Sequence, residues 1–248
     1  MAYIIAEIGQ AHEGSLGMAL SYIEALKDTG IDAVKFQVHI AEAESSEYEP
    51  FRIKFSEQDK TRFDYWKRMS FSKEEWLLIK KTCEENDLEF LASPFSNKAV
   101  DLLEDLAVKR FKIGSGEVNN FLLLKKIAST GKPVILSSGM SSYGELDKTV
   151  KFLKDHEVEF SLLQCTTAYP TKPEEYGLNV IGELKKRYDA PVGFSDHSGK
   201  ISTCIAAAVL GAEIFEFHVT YSRMSFGPDA SSSIEINEVR ELVNAIND

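Results

Sequence analysis

Two histidines stand where their spacing could do chemistry. His197, in GFSDHSGK, and His218, in EIFEFHVTYSR, are twenty-one residues apart, and each follows a short apolar run that reads as a β-strand. A strand, a helix and the next strand need roughly that length. If the two strands are parallel neighbours about 4.8 Å apart, both imidazoles lie at the same end of one sheet. Two neutral imidazoles side by side suit a divalent transition metal. The competing reading is a pair of polar side chains satisfied by ordinary hydrogen bonds, and spacing alone leaves both open.

Alternation within the strand-like runs adds further groups. In DAVKFQ, Lys35 and Gln37 share one face while Val34 and Phe36 share the other. Likewise Glu216 and His218 face one way, and Phe215 and Phe217 the other. The apolar set suits packing against helices, which points the charged set inward, where a lysine is costly unless it is paired or meets an anion. In FKIGSGE, Gly114 and Gly116 are expected to let the backbone turn tightly and present N–H groups, with Ser115 beside Lys112. SSGM at 137–140 repeats the theme, and together with two interior lysines these segments suggest a cradle for phosphate and carboxylate.

Eight strand-like segments carry these residues: 3–7, 32–37, 89–93, 110–113, 133–137, 159–164, 191–195 and 213–218. Eight amphipathic helical patterns alternate with them, with no break in composition. That alternation implies βαβ units and a parallel sheet. Eight units in one chain of 248 residues predict a closed (β/α)8 TIM barrel, a single domain over 1–248. Such barrels do their chemistry at the C-terminal ends of the strands, and here every strand ends in a polar group. Residues 38–72, polar and aromatic, separate the second strand from its helix. A connection that long reads as a cover over the active-site mouth or as a surface excursion.

Composition excludes several classes. A formal net charge of −11 disfavours nucleic acid and anionic membrane as partners. No stretch approaches the roughly 20 apolar residues of a membrane span, and MAYIIAEIGQ lacks the basic start of a signal peptide. The expectation is a soluble, cytoplasmic protein. Cys83, Cys165 and Cys204 are odd in number and widely spaced, which argues against a disulfide framework and reads as buried apolar filling.

Assembled in order, the motifs resemble the N-acetylneuraminate (sialic acid) synthase family. They are IIAEIG at 4–9, HEG at 12–14, DAVKFQ at 32–37, SPF at 93–95 and FKIGSGEVNN at 111–120. TGKPVILSSGM at 130–140, CTTAYPT at 165–171, GFSDHS at 193–198, EFHVT at 216–220 and GPD at 227–229 complete the series. The resemblance implies a synthase that condenses phosphoenolpyruvate with an N-acetylated hexosamine, such as N-acetylmannosamine or a diacetamido hexose, and water to a nonulosonic acid plus phosphate. It implies that His197 and His218 hold Mn2+ or Mg2+. Lys35, Ser93, Lys112, Ser115, Ser137, Thr167 and Ser195 would grip phosphoenolpyruvate, and Gln37, Phe95, Tyr169 and Asp229 the open-chain sugar. Glu117 would handle the proton of the attacking water.

Some positions depart from the family pattern. Phe217 stands where lysine is usual, Ala11 where asparagine is usual, and ASSSIE lacks a histidine often found there. The family also carries a C-terminal antifreeze-like domain that reaches into the partner's site in a homodimer, and this sequence stops at Asp248, where that domain would begin. The residues alone also admit a pyruvate-type lysine aldolase, another barrel that condenses phosphoenolpyruvate with a sugar, or a non-catalytic sugar-binding barrel.

Overall fold

The computed structural model describes residues 2–51, 54–56 and 58–248. Eight parallel strands form its centre: β1 (Tyr3–Gly9), β2 (Ala33–Val38), β3 (Glu89–Pro94), β4 (Phe111–Ile113), β5 (Val134–Ser137), β6 (Phe160–Cys165), β7 (Val192–Asp196) and β8 (Ile214–Thr220). Their hydrogen-bonded order is β3-β2-β1-β8-β7-β6-β5-β4, and the two end strands of that order, β3 and β4, pack side by side. This is the (β/α)8 barrel that the alternating segments predict, and each strand segment read from the sequence overlaps an observed strand. A short β9 (Ile234–Glu235) adds in parallel to the end of β8.

Period-two alternation sorts the strand side chains into two cores. Ile5, Ala33, Leu91, Ile135, Leu163 and Ile214 form an apolar layer inside the barrel. Val34, Phe36, Phe215 and Phe217 belong to the larger core between strands and helices. Phe217 therefore packs outward, so the departure from lysine there falls outside the barrel interior. Glu7 pairs in register with Lys35 on one side and His218 on the other. The next inward layer above the apolar plug is thus charged.

The helices are α1 (Leu16–Leu26), α2 (Ala41–Glu44), α3 (Arg62–Met69), α4 (Lys73–Glu85), α5 (Asn97–Asp105), α6 (Phe121–Ala128), α7 (Tyr143–Asp155), α8 (Val180–Tyr188), α9 (Ile201–Val209) and α10 (Ile236–Asn247). Reciprocal capping boxes start several of them, among them Ser72 with Glu75 at α4 and Ser142 with Glu145 at α7. Two helices exceed the expected eight among the described residues, and both, α2 and α3, lie in the 38–72 segment. That segment includes residues 52, 53 and 57, which lie outside the described ones. Arg68 of α3 ties it to the turn after β1, where the guanidinium donates to Glu13 Oε2 (3.0 Å), and is itself held within the segment by Asp59 Oδ2 (2.7 Å). The cover is thus folded onto the barrel mouth rather than held away from it.

Candidate functional site

β1 ends in a kink that shapes the mouth. Gly9 sits at φ +54°, and the register with β2 shifts between Glu7 and Gly9. This keeps Glu7 facing inward while the chain turns into the loop. Glu7 then meets Lys35 Nζ at 2.8 Å. Lys35 also lies 3.7 Å from Glu216 Oε1 and 3.5 Å from Ser93 Oγ. From the opposite side Lys112 lies 3.4 Å from the same Glu216 oxygen and donates to Ser137 Oγ at 2.7 Å. Ser195 Oγ donates to Glu216 Oε1 at 3.1 Å.

Both lysines and both carboxylates are buried, so this is two cations balanced by two anions inside the barrel. Burial would raise the Glu216 carboxyl, but Lys112 and Lys35 hold it well below the usual range. Burial lowers Lys112, and Glu216 only partly offsets this. For Lys35 the attraction of Glu216 and Glu7 outweighs burial and the pKa rises. An incoming anion can take over the lysines that Glu216 now neutralises.

His197 and His218 stand beside this cluster, ring centroids 5.3 Å apart. His197 Nδ1 is 2.9 Å from the Thr166 carbonyl, which makes it the protonated nitrogen, and Nε2 faces the Tyr169 hydroxyl at 3.2 Å. The Tyr169 ring stacks on His197 at 4.2 Å. His218 Nδ1 is 3.7 Å from Asp229 Oδ2. An imidazole anchored through Nδ1–H to a carbonyl, with Nε2 turned to the cavity, is the arrangement of a ligating histidine. Burial lowers the His218 pKa, which favours the neutral form that a metal needs. Burial also disfavours charge on His197, but neighbouring Cys165 and the Thr166 carbonyl outweigh it and push the pKa up to about 9, so a metal would have to displace a proton there. The pair fits a divalent cation. Among the described residues no group of three His, Cys, Asp or Glu side chains forms a ligand cluster, so water and substrate oxygens would complete the sphere.

A cavity of about 180 Å³ collects twelve of the predicted residues: Lys35, Gln37, Ser93, Phe95, Lys112, Ser115, Ser137, Thr167, Tyr169, Ser195, His197 and His218. Glu117 lies in an adjoining cavity of about 840 Å³ that shares Gln37 and Phe95 and is roofed by Trp66 and Arg62 of the cover. Glu117 accepts from Asn120 Nδ2 at 2.7 Å. Asp229 lines a third cavity, about 220 Å³, that reaches His218 from the other side. The predicted set therefore divides among three neighbouring cavities that share wall residues.

The tight turn expected at Gly114 and Gly116 is present, without left-handed backbone. Gly114 is extended at φ −67° and the loop continues as a short 3-10 turn over Ser115–Glu117. The glycine that the cradle requires is Gly139, where an added Cβ would lie 2.7 Å from both Ser115 Oγ and Thr167 Oγ1. Cys165 is buried and free but is not mere filling, since its Sγ is 3.6 Å from Ser115 Oγ and 3.9 Å from His197 Nδ1. Glu7 and His39 carry no role in the sequence, and Glu216 appears there only as an inward charge. Inward alternation from Lys35 through Gln37 reaches His39, and Glu7 is itself a polar strand end.

The family model described as "NeuB family" matches residues 22–248. The chain belongs to the NeuB family. Among curated proteins it is 38% identical over 248 residues to N-acetylneuraminate-9-phosphate synthase of Homo sapiens, covering 98% of this chain and 69% of that protein. It is 36% identical over 252 residues to N,N'-diacetyllegionaminic acid synthase of Campylobacter jejuni, covering 98% and 75%. Among solved structures, the N-acetylneuraminic acid synthetase of Leptospira borgpetersenii serovar Hardjo-bovis, in complex with citrate, superposes with a TM-score of 0.90 at 33% identity, covering 99% of this chain and 82% of that one. Within the family frame, the outward Phe217 leaves the inward lysine, carboxylate and histidine set of this NeuB chain undisturbed. No helix among its described residues is long and apolar enough to cross a membrane.

Proposed function

We propose that this NeuB-family chain is a sugar-acid synthase that condenses phosphoenolpyruvate with an N-acetylated hexosamine and water to a nonulosonic acid and phosphate. The observation that carries the proposal is the meeting of two buried lysines with two histidines at the C-terminal ends of the strands. Lys35 and Lys112 neutralise the anionic donor, and the hydroxyls of Ser93, Ser115, Ser137, Thr167 and Ser195 orient it. Gln37, Phe95, Tyr169 and Asp229 hold the open-chain acceptor so that its aldehyde carbon faces C3 of the enol. His197 and His218 hold Mn2+ or Mg2+, which when bound supplies Lewis-acid polarisation of the aldehyde oxygen. A C3–C1 bond forms as cationic character grows at C2. Water adds there and gives its proton to Glu117. The tetrahedral adduct then expels phosphate by C–O cleavage. The proposal includes a homodimer where the full-length protein carries the family's antifreeze-like domain, which would then reach into the partner's site.

The relatives' products differ, so the acceptor is to be found by assay. Phosphate release is measured with phosphoenolpyruvate, a panel of N-acetylated hexoses and added divalent metal. Release is expected with at least one sugar, and His197→Ala is expected to abolish the metal-dependent part. Turnover unchanged in that variant would remove the metal from the proposal. The lowered pKa of Lys112 favours a second reading, an imine-forming aldolase. A borohydride-trapped adduct with pyruvate at Lys112 or Lys35 would establish that reading in place of the synthase.

A further inference from the structure

His39 follows β2 and is held on all sides. Its ring is sandwiched between Trp66 of the cover, centroids 3.6 Å apart, and Phe95 after β3, 4.2 Å apart, nearly parallel to both. Nδ1 lies 3.0 Å from each oxygen of the Glu44 carboxylate, which can only accept, so Nδ1 carries a proton. Nε2 lies 3.3 Å from Oε1 of Gln37. The Gln37 amide is fixed in turn, because its Nε2 donates at 2.9 Å to Glu7 Oε1, another obligate acceptor. Burial lowers the His39 pKa and favours the neutral ring. In that form Nε2 is an acceptor turned toward a second acceptor, with no proton between them.

Two acceptors held against each other ask for a donor from outside. Both line the larger cavity, whose wall carries acceptors such as Glu117 and donors such as Arg62, Lys98 and Asn120. A wall that mixes acceptors and donors suits a polyhydroxylated chain. We propose that His39 Nε2 and Gln37 Oε1 together accept one hydroxyl hydrogen of the acceptor sugar, making His39 a specificity-determining residue of the site. This rests on the sugar-acid synthase reading given above. Glu44, Trp66 and Phe95 act through His39, by setting its tautomer and ring plane.

The test uses two variants that perturb the surroundings in opposite ways. His39→Phe keeps an aromatic ring between Trp66 and Phe95 but leaves Glu44 unpartnered. His39→Asn keeps a donor toward Glu44 but loses the stack. Both lack the Nε2 acceptor. Each is assayed for phosphate release and, by calorimetry, for binding of N-acetylated hexoses and of analogues deoxygenated at one carbon at a time. The expected result is a roughly tenfold rise in KM and Kd for the sugar in both variants, with KM for phosphoenolpyruvate within about twofold of the parent. One deoxy analogue should bind the parent protein roughly tenfold more weakly than the full sugar, and the variants should no longer distinguish the two. Variants that match the parent, or that lose both substrates alike with a lowered Tm, would overturn the assignment. Sugar binding that depends on His39 without phosphate release would leave the assignment standing and sink the synthase reading. Absence of both would overturn the two together.

Discussion

At the scale of single residues, the charge balance around Glu216 decides how the site meets an anion. Its Oε1 serves Lys35, Lys112 and Ser195 together, while Oε2 is buried with no hydrogen-bond partner. Glu216→Gln removes one of two anions and leaves the two buried lysines in excess. Losing one partner of a buried ion pair costs about 3–5 kcal/mol. The free variant should therefore melt below the parent. Added phosphoenolpyruvate, supplying the missing charge, should raise its Tm by more than it raises the parent's. An equal or smaller ligand-induced rise in the variant would mean that the lysines do not meet the donor's charge. His12 gives a second prediction. It is wholly buried, 4.8 Å from the Phe71 ring, and burial pushes its pKa down to about 4. The folded pKa lies below the unfolded one near 6.5, so the unfolded chain binds more protons between those values. Stability from this group is present above about pH 6.5 and falls as pH drops toward 4, by about 3 kcal/mol in total. Denaturant titrations across that range should show a flatter acid slope in His12→Asn; an unchanged slope would contradict the assignment.

At the scale of elements, the strands are legible in the sequence and the helices within the cover are not. Short β-branched runs with alternating polarity, such as DAVKFQ and EIFEFH, announce both a strand and its inward face, and the observed register agrees. The 38–72 segment lacks any such period. AEAE is too short to read as a helix, and RFDYWKRM becomes one through the Thr61–Asp64 capping box and the packing of Phe63, Tyr65 and Met69. His39 was overlooked for the same reason: its partners, Glu44 and Trp66, come from those two helices. The loops after β4 and β5 teach a related lesson. GSG and SSG look alike as turns, but crowding by Ser115, Thr167 and Cys165 reserves only Gly139 for glycine. Gly139→Ala is expected to push Ser115 and Thr167 apart and raise KM for phosphoenolpyruvate roughly tenfold or more, with a smaller effect on Tm. Steady-state kinetics beside a melting curve would check this, and an unchanged KM would place the donor elsewhere.

At the scale of the whole molecule, the barrel converts eight sequential strand ends into one convergent mouth. Residues as distant in sequence as Glu7 and Glu216 both meet Lys35 there. The fold follows from the alternation of segments, and the family from the matched residues. The structure adds their placement: lysines, hydroxyls and the two histidines line the smaller cavity, and Glu117 and the cover line the larger. The central claim is that an enol phosphate meets an open-chain sugar in that space and that water attacks its C2. Phosphoenolpyruvate labelled with ¹⁸O in the oxygen bridging C2 and phosphorus tests this most directly, with an accepted N-acetylated hexose and a divalent metal present. The account predicts that the label leaves in inorganic phosphate. Label retained in the sugar-acid product would mean cleavage at phosphorus and would contradict it.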